Sequence, residues 1–138
     1  MGTVRGLPLA TVVLDATAIT VASDDRSEVR RLLRRWEEEG VDLVVAAATL
    51  TEVLRGHPRD AFIHRLLSSV KVRVIDADLG RAAGVRIGRT KVRGKATLDV
   101  LVAEVASSLP RPVVVLTAYY DDITALVDPD VMVLDIAA

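Results

Sequence analysis

Asp15, Glu52 and Asp99 stand where an acid is hardest to explain by packing alone. Asp15 directly follows the apolar run Thr11–Leu14, within Leu14-Asp15-Ala16-Thr17. Glu52 lies in Thr49-Leu50-Thr51-Glu52-Val53, a few residues past the run Val41–Ala47. Asp99 opens a strongly apolar stretch, Leu98-Asp99-Val100-Leu101-Val102-Ala103. A carboxylate among apolar neighbours is costly unless something neutralises it, and few basic residues adjoin these three. A hard divalent cation is the natural partner, because Mg²⁺ or Mn²⁺ takes oxygen ligands and keeps several waters, so three carboxylates suffice. The chain has no cysteine, and neither His57 nor His64 has a partner at ligand spacing, which argues against zinc. Taken singly, Asp15 also reads as a turn former or helix cap, Asp99 as a charge favoured at a helix N-terminus, and Glu52 as a solvated helix residue. Their conjunction points to a metal site. An ion so held activates water and polarises a phosphoryl oxygen, which is the chemistry of phosphodiester hydrolysis.

The elements that must position these acids follow from the hydropathy pattern. Thr11–Leu14, Val41–Ala47, Val70–Ile75, Val113–Leu116 and Val131–Leu134 are short continuous runs rich in Val, Ile and Leu. Runs of this kind, without polar alternation, predict strands covered on both faces. Helical patterns fall between them over Ser27–Glu39, Asp60–Ser69, Ala77–Arg89 and Thr97–Leu109, with Gly40 and Pro110 as stops. Strand–helix alternation from end to end predicts one α/β domain over residues 1–138. Its sheet is central and mostly parallel, with about five strands and flanking helices. Ligands bind such sheets outside the carboxyl ends of the strands. Thr117 ends the fourth run, with Asp121 and Asp122 just beyond, so three or four carboxylates converge on one end.

Composition narrows the partners. With 51% hydrophobic and 27% charged residues in 138, this is a globular chain. The absence of cysteine excludes a disulfide scaffold, thiolate metal sites and a cysteine nucleophile. No apolar run approaches the roughly 18 residues a membrane span needs, and Met1–Ala10 lacks the apolar core of a leader, so the expected location is cytoplasmic. Net charge is −1, so attraction to phosphate must come from the distribution of charge. The stretch Gly80–Lys95 carries Arg81, Arg86, Arg89, Lys91, Arg93 and Lys95 with no acid, and ends just before Asp99. Arg86, Arg89, Lys91, Arg93 and Lys95 are therefore candidate contacts for nucleic-acid phosphates, against the alternative of a merely solvated face. Arg30, Arg31, Arg34 and Arg35 are interleaved with Glu28 and Glu37–Glu39, which predicts ion pairing along a helix instead.

The ordered segments resemble those of PIN-domain ribonucleases. Asp15-Ala16-Thr17 resembles their D-x-[ST] opening, Thr49-Leu50-Thr51-Glu52 their second acidic segment, and Leu98-Asp99-Val100-Leu101-Val102-Ala103 their third. Leu116-Thr117-Ala118-Tyr119 lies where they often carry T-x-D/N. The resemblance runs from about Thr11 to Leu134, and in length and layout the chain resembles the VapC-type toxins of bacterial toxin–antitoxin pairs. It implies Mg²⁺- or Mn²⁺-dependent endonucleolytic cleavage of RNA, with Asp15, Glu52 and Asp99 as catalytic, metal-coordinating acids. Thr17 and Thr117 match supporting hydroxyls that orient the acids or contact phosphate. A homodimer and a cognate antitoxin protein are the implied partners besides RNA. The fourth family acid falls on Tyr119. Asp121 stands in for it if the loop bends inward; otherwise Asp121 caps the following helix and the fourth acid is absent. In that second case the chain is a weakened PIN-like module that binds RNA or protein without cleaving. Tyr119 and Tyr120 on this loop can stack on unpaired bases or pack at a protein interface.

Overall fold

Two pairs of residues near the start, β1 (Thr3–Val4) and β2 (Leu7–Pro8), form a small antiparallel hairpin apart from the main sheet. The apolar runs supply the rest: β3 (Thr11–Leu14), β4 (Asp42–Ala46), β5 (Lys71–Arg73), β6 (Val113–Thr117) and β7 (Met132–Asp135). This computed structural model describes residues 3–4, 7–91 and 96–137. The five strands pair in parallel throughout, in the order β5-β4-β3-β6-β7. The chain therefore builds outward from β3 through β4 to β5, then returns to lay β6 against the other side of β3. The β3–β6 boundary is the topological switch point of the sheet, the crevice where open α/β sheets bind ligands.

The helices are α1 (Ala16–Ala22), α2 (Glu28–Glu38), α3 (Leu50–Val53), α4 (Asp60–Leu67), α5 (Ala77–Thr90), α6 (Thr97–Ser107) and α7 (Tyr120–Thr124). They cover both faces, and the two-residue period of the strands sorts the core accordingly. Val12, Leu14, Leu43, Val45, Val114 and Leu116 pack with Ile19 of α1 and with Leu33 and Trp36 of α2. Val13, Val44, Ala46, Val113 and Val115 pack with Val102, Val105 and Ala106 of α6. This two-sided burial is why β3 and β6 are apolar at nearly every position. Ser27 caps α2 by accepting the Arg30 N–H at 3.1 Å, and Gly40, at φ +86°, supplies the left-handed turn that ends it.

The run Val70–Ile75 departs from expectation. Its strand is only three residues long and lies at the sheet edge, where Val72 and Val74 are exposed. An apolar run there reflects an edge that is partly open, not a strand covered on both faces. Among the described residues no helix is long and apolar enough to cross a membrane.

Candidate metal centre at the strand ends

Asp15 sits where β3 gives way to α1, and Thr117 ends β6 beside it. The strands run in register as far as Leu14 and Leu116, and the Asp15 N–H donates to the Leu116 carbonyl at 3.3 Å. Asp15 is the N-cap of α1: its Oδ1 accepts the Ala18 N–H at 2.9 Å and the Thr17 hydroxyl at 2.6 Å. Its Oδ2 accepts the Thr117 hydroxyl at 2.5 Å. The cap and the candidate ligand are thus the same residue, with one oxygen assigned to each. Thr17 in turn accepts the Ala118 N–H at 2.8 Å, and Thr117 accepts the Tyr119 N–H at 2.9 Å. Both hydroxyls expected to orient the acids do so for Asp15, which is buried and held in one orientation.

Asp99 lies in the first turn of α6, half-buried, and Glu52 lies in the single turn of α3. Burial pushes the Asp99 carboxyl above its ordinary range, and the charges of Asp15 and Asp122 push it further. Glu52 is raised in the same way, by burial and then by Asp99 and Asp15, with Arg55 working against them. Asp99 and Glu52 thus both feel the charge of Asp15, and Asp99 also that of Asp122. Among the described residues, every charged group that shifts Asp99 is an acid.

From the β6–α7 segment, the charge that raises the Asp99 carboxyl is that of Asp122. α7 begins at Tyr120, with Tyr119 as a cap that makes no side-chain hydrogen bond, so both aspartates fall in the first turn and neither caps it. Successive helical residues point about 100° apart, and the phase set by Tyr120 gives Asp122 the electrostatic link to Asp99. Asp121 is exposed. Asp122 was within reach of sequence reasoning as the second of an acidic pair, but its phase was not.

The set is chemically suited to a hard cation: all of its donors are oxygens. A carboxylate oxygen has two lone pairs, and one hydrogen bond to Asp15 Oδ2 leaves room for a further partner. Among the described residues no three His, Asp or Glu side chains are gathered closely enough to grip an ion as they stand. Asp15 is the fixed member of the set, held by the hydroxyls of Thr17 and Thr117.

The basic stretch is corrected at Arg86. Its guanidinium is buried, donating to Glu104 Oε2 at 2.6 Å, Asp128 Oδ1 at 3.0 Å, the Leu126 carbonyl at 2.7 Å and Ser107 Oγ at 3.0 Å. It joins α5 to α6 and to the segment before β7, and its burial with four of its five N–H groups engaged keeps it from reaching RNA. Arg81 is paired with Asp78 at 3.1 Å. Arg89 and Lys91 are exposed, Arg89 with only a 3.8 Å approach to Asp128. Arg93 and Lys95 lie outside the described residues. On α2, Arg31 pairs with Glu28 at 3.9 Å as the interleaved charges suggest, whereas Arg34 turns to Asp25 at 3.3 Å.

No protein-family model and no curated protein matches the sequence. Solved structures do match the fold. VapBC2 from Rickettsia felis, bound to a DNA fragment from its promoter, aligns at 12% identity with TM-score 0.69, over 91% of this chain and 98% of that one. DNA-bound VapBC from Salmonella typhimurium aligns at 19% identity with TM-score 0.66, over 92% and 98%. FitAcB from Neisseria gonorrhoeae aligns at 18% identity with TM-score 0.61, over 90% and 96%. The architecture is that of a VapC-like PIN domain across nearly the whole chain.

Proposed function

We propose that this protein is a divalent-metal-dependent endoribonuclease and the toxin of a type II toxin–antitoxin pair. The observation that carries the reading is that Asp15, fixed at the switch point of a VapC-like PIN fold, raises the carboxyls of both Asp99 and Glu52, with Asp122 acting on Asp99 as well. The neighbouring structures are VapBC and FitAB complexes, which supports an antitoxin partner for this chain.

Asp15, Asp99, Glu52 and Asp122 would hold Mg²⁺ or Mn²⁺, which supplies charge neutralisation at the phosphate and acidifies a bound water. The chain's own contribution is placement. Thr17, Thr117 and the Ala18 amide keep the Asp15 carboxylate from turning away. Asp99 stays poised for a cation because partial burial and neighbouring acids make its charge costly without one, and the exposed Glu52 adds a further carboxylate whose charge Asp99 and Asp15 disfavour. Arg89 and Lys91 draw the RNA backbone toward a region whose acids would otherwise repel it. Homodimer formation and a cytoplasmic location belong to the same reading.

The test is cleavage of a single-stranded RNA by purified protein with Mg²⁺, Mn²⁺ or EDTA. Cleavage that requires the ion and disappears in Asp15→Asn supports the reading. RNA or protein binding without cleavage under any metal condition would support a PIN-like binding module instead, which Tyr119 at the usual position of the fourth acid favours.

A further inference from the structure

Tyr119 and Tyr120 are the chain's two tyrosines, and both rings are exposed, 57% and 38%. A tyrosine ring gains substantially from burial, so two adjacent rings left in solvent beside a site are a surface waiting for a flat partner. Their backbone is anchored to the metal centre. The Tyr119 N–H donates to Thr117 Oγ1 at 2.9 Å, and that hydroxyl donates to Asp15 Oδ2 at 2.5 Å. Two hydrogen bonds thus separate the backbone of Tyr119 from the central acid.

Both tyrosines line an open cleft of about 300 Å³ with Ala118, Asp121, Asp122 and Asp135. Asp135 ends β7 in register with Thr117, and its Oδ1 accepts the Ala137 N–H at 2.8 Å. Among the described residues no basic side chain lines this cleft. What it offers is aromatic faces and carboxylate oxygens, and ionised carboxylates only accept hydrogen bonds. The matching ligand is flat, uncharged and rich in N–H donors.

We propose that this cleft is a nucleobase subsite, in which Tyr119 stacks on the unpaired base beside the scissile phosphate and Asp135 accepts hydrogen bonds from that base's edge. This rests on the reading of the protein as an RNA-cleaving enzyme, and deepens it by assigning Tyr119 and Asp135 to specificity. Exposed bases in single-stranded RNA are recognised in this way, by aromatic stacking and edge hydrogen bonds. Guanine suits the cleft best, because its Watson–Crick edge presents two adjacent donors, N1–H and the N2 amine. Adenine and cytosine offer one amine beside an acceptor, and uracil a single N–H between two carbonyls. A site that hydrogen-bonds a base discriminates strongly against one that leaves its polar groups unpaired.

The experiment uses RNA hexamers of uridine with guanosine, inosine or an abasic residue scanned through each position. Binding is measured by fluorescence anisotropy in EDTA, and cleavage of the same RNAs is measured separately in Mn²⁺. The expected result is one position where guanosine binds roughly tenfold tighter than the abasic residue, as a stacked base does. Tyr119→Leu should erase that difference and Tyr119→Phe should keep it. Asp135→Asn should lose the preference for guanosine over inosine, which lacks the N2 amine. Equal binding of every hexamer, no binding at all, or base dependence that survives Tyr119→Leu would overturn the subsite. Base-independent binding with intact cleavage removes the subsite and leaves the nuclease; base-dependent binding without cleavage in Mn²⁺ does the reverse.

Discussion

Thr117 Oγ1 and Asp15 Oδ2 lie 2.5 Å apart across the β3–β6 boundary, joining residues 102 positions apart in the chain. Thr117 is fully buried and Asp15 nearly so. The hydroxyl therefore serves the fold, by satisfying a buried carboxylate, and the site, by fixing where that carboxylate points. Thr117→Val keeps the shape and removes the donor. An unsatisfied buried group costs about 1–3 kcal/mol, so thermal unfolding should shift down by several degrees, and cleavage should fall with it. Thr117→Ser should restore both. A Val variant as stable and active as wild type would show that the hydrogen bond does neither.

Asp99 makes a prediction of opposite sign. Its carboxyl is raised by burial and by two neighbouring acids, so ionising it at neutral pH destabilises the folded chain. Asp99→Asn removes that charge, and in EDTA the variant should melt higher than wild type, on the order of a few degrees. In Mn²⁺ the order should reverse, because only wild type gains the stabilisation of a bound ion. Parallel melting curves with and without Mn²⁺ check both halves.

Asp60 sets an acid-side limit on stability. Its Oδ2 accepts the Arg55 N–H at 2.9 Å and the Gly56 N–H at 2.8 Å, with the His57 N–H at 3.4 Å, and these hold the carboxyl below its ordinary range. A carboxylate lowered in the folded state contributes stability above its unfolded value, near 3.9, and loses it as pH falls through the lower folded value. Melting temperature should therefore fall more steeply below about pH 4 for wild type than for Asp60→Asn. Equal slopes would show that the turn does not depend on the charge.

Arg86 and Arg89 separate two roles that look alike in the sequence. Removing one partner from a buried ion pair costs about 3–5 kcal/mol, so Arg86→Ala should be severely destabilised. Arg89→Ala combined with Lys91→Ala should fold normally, and each lost phosphate contact should flatten the salt dependence of RNA binding by about one unit of slope. Salt titrations of RNA affinity check this. An unchanged slope would make the surface merely solvated.

The contrast also shows what could be read in advance. The parallel α/β class and the strand-end positions of Asp15 and Thr117 were legible because β3 and β6 are buried on both faces and leave apolar runs that stop at a polar residue. Asp15-Ala16-Thr17 was legible because capping and orienting are local, completed within three residues. Arg86 was not, since its partners Glu104 and Asp128 are 18 and 42 residues away and nothing in a basic stretch marks which guanidinium turns inward. Nor was the choice of Asp122 over Asp121, which depends on where a five-residue helix begins. The edge strand β5 was overread because Lys71 and Arg73, which alternate with the valines there and mark an open edge, were passed over.

The central claim is that Asp15, Glu52, Asp99 and Asp122 serve one cation. Isothermal titration of Mn²⁺ into the metal-free protein tests it most directly, with wild type compared with Asp99→Asn, Asp122→Asn and Asp121→Asn. The account predicts saturable binding to wild type and to Asp121→Asn, and affinity weakened by about tenfold or more in Asp99→Asn and Asp122→Asn. Equal affinity in all four proteins, or no binding to wild type, would contradict it.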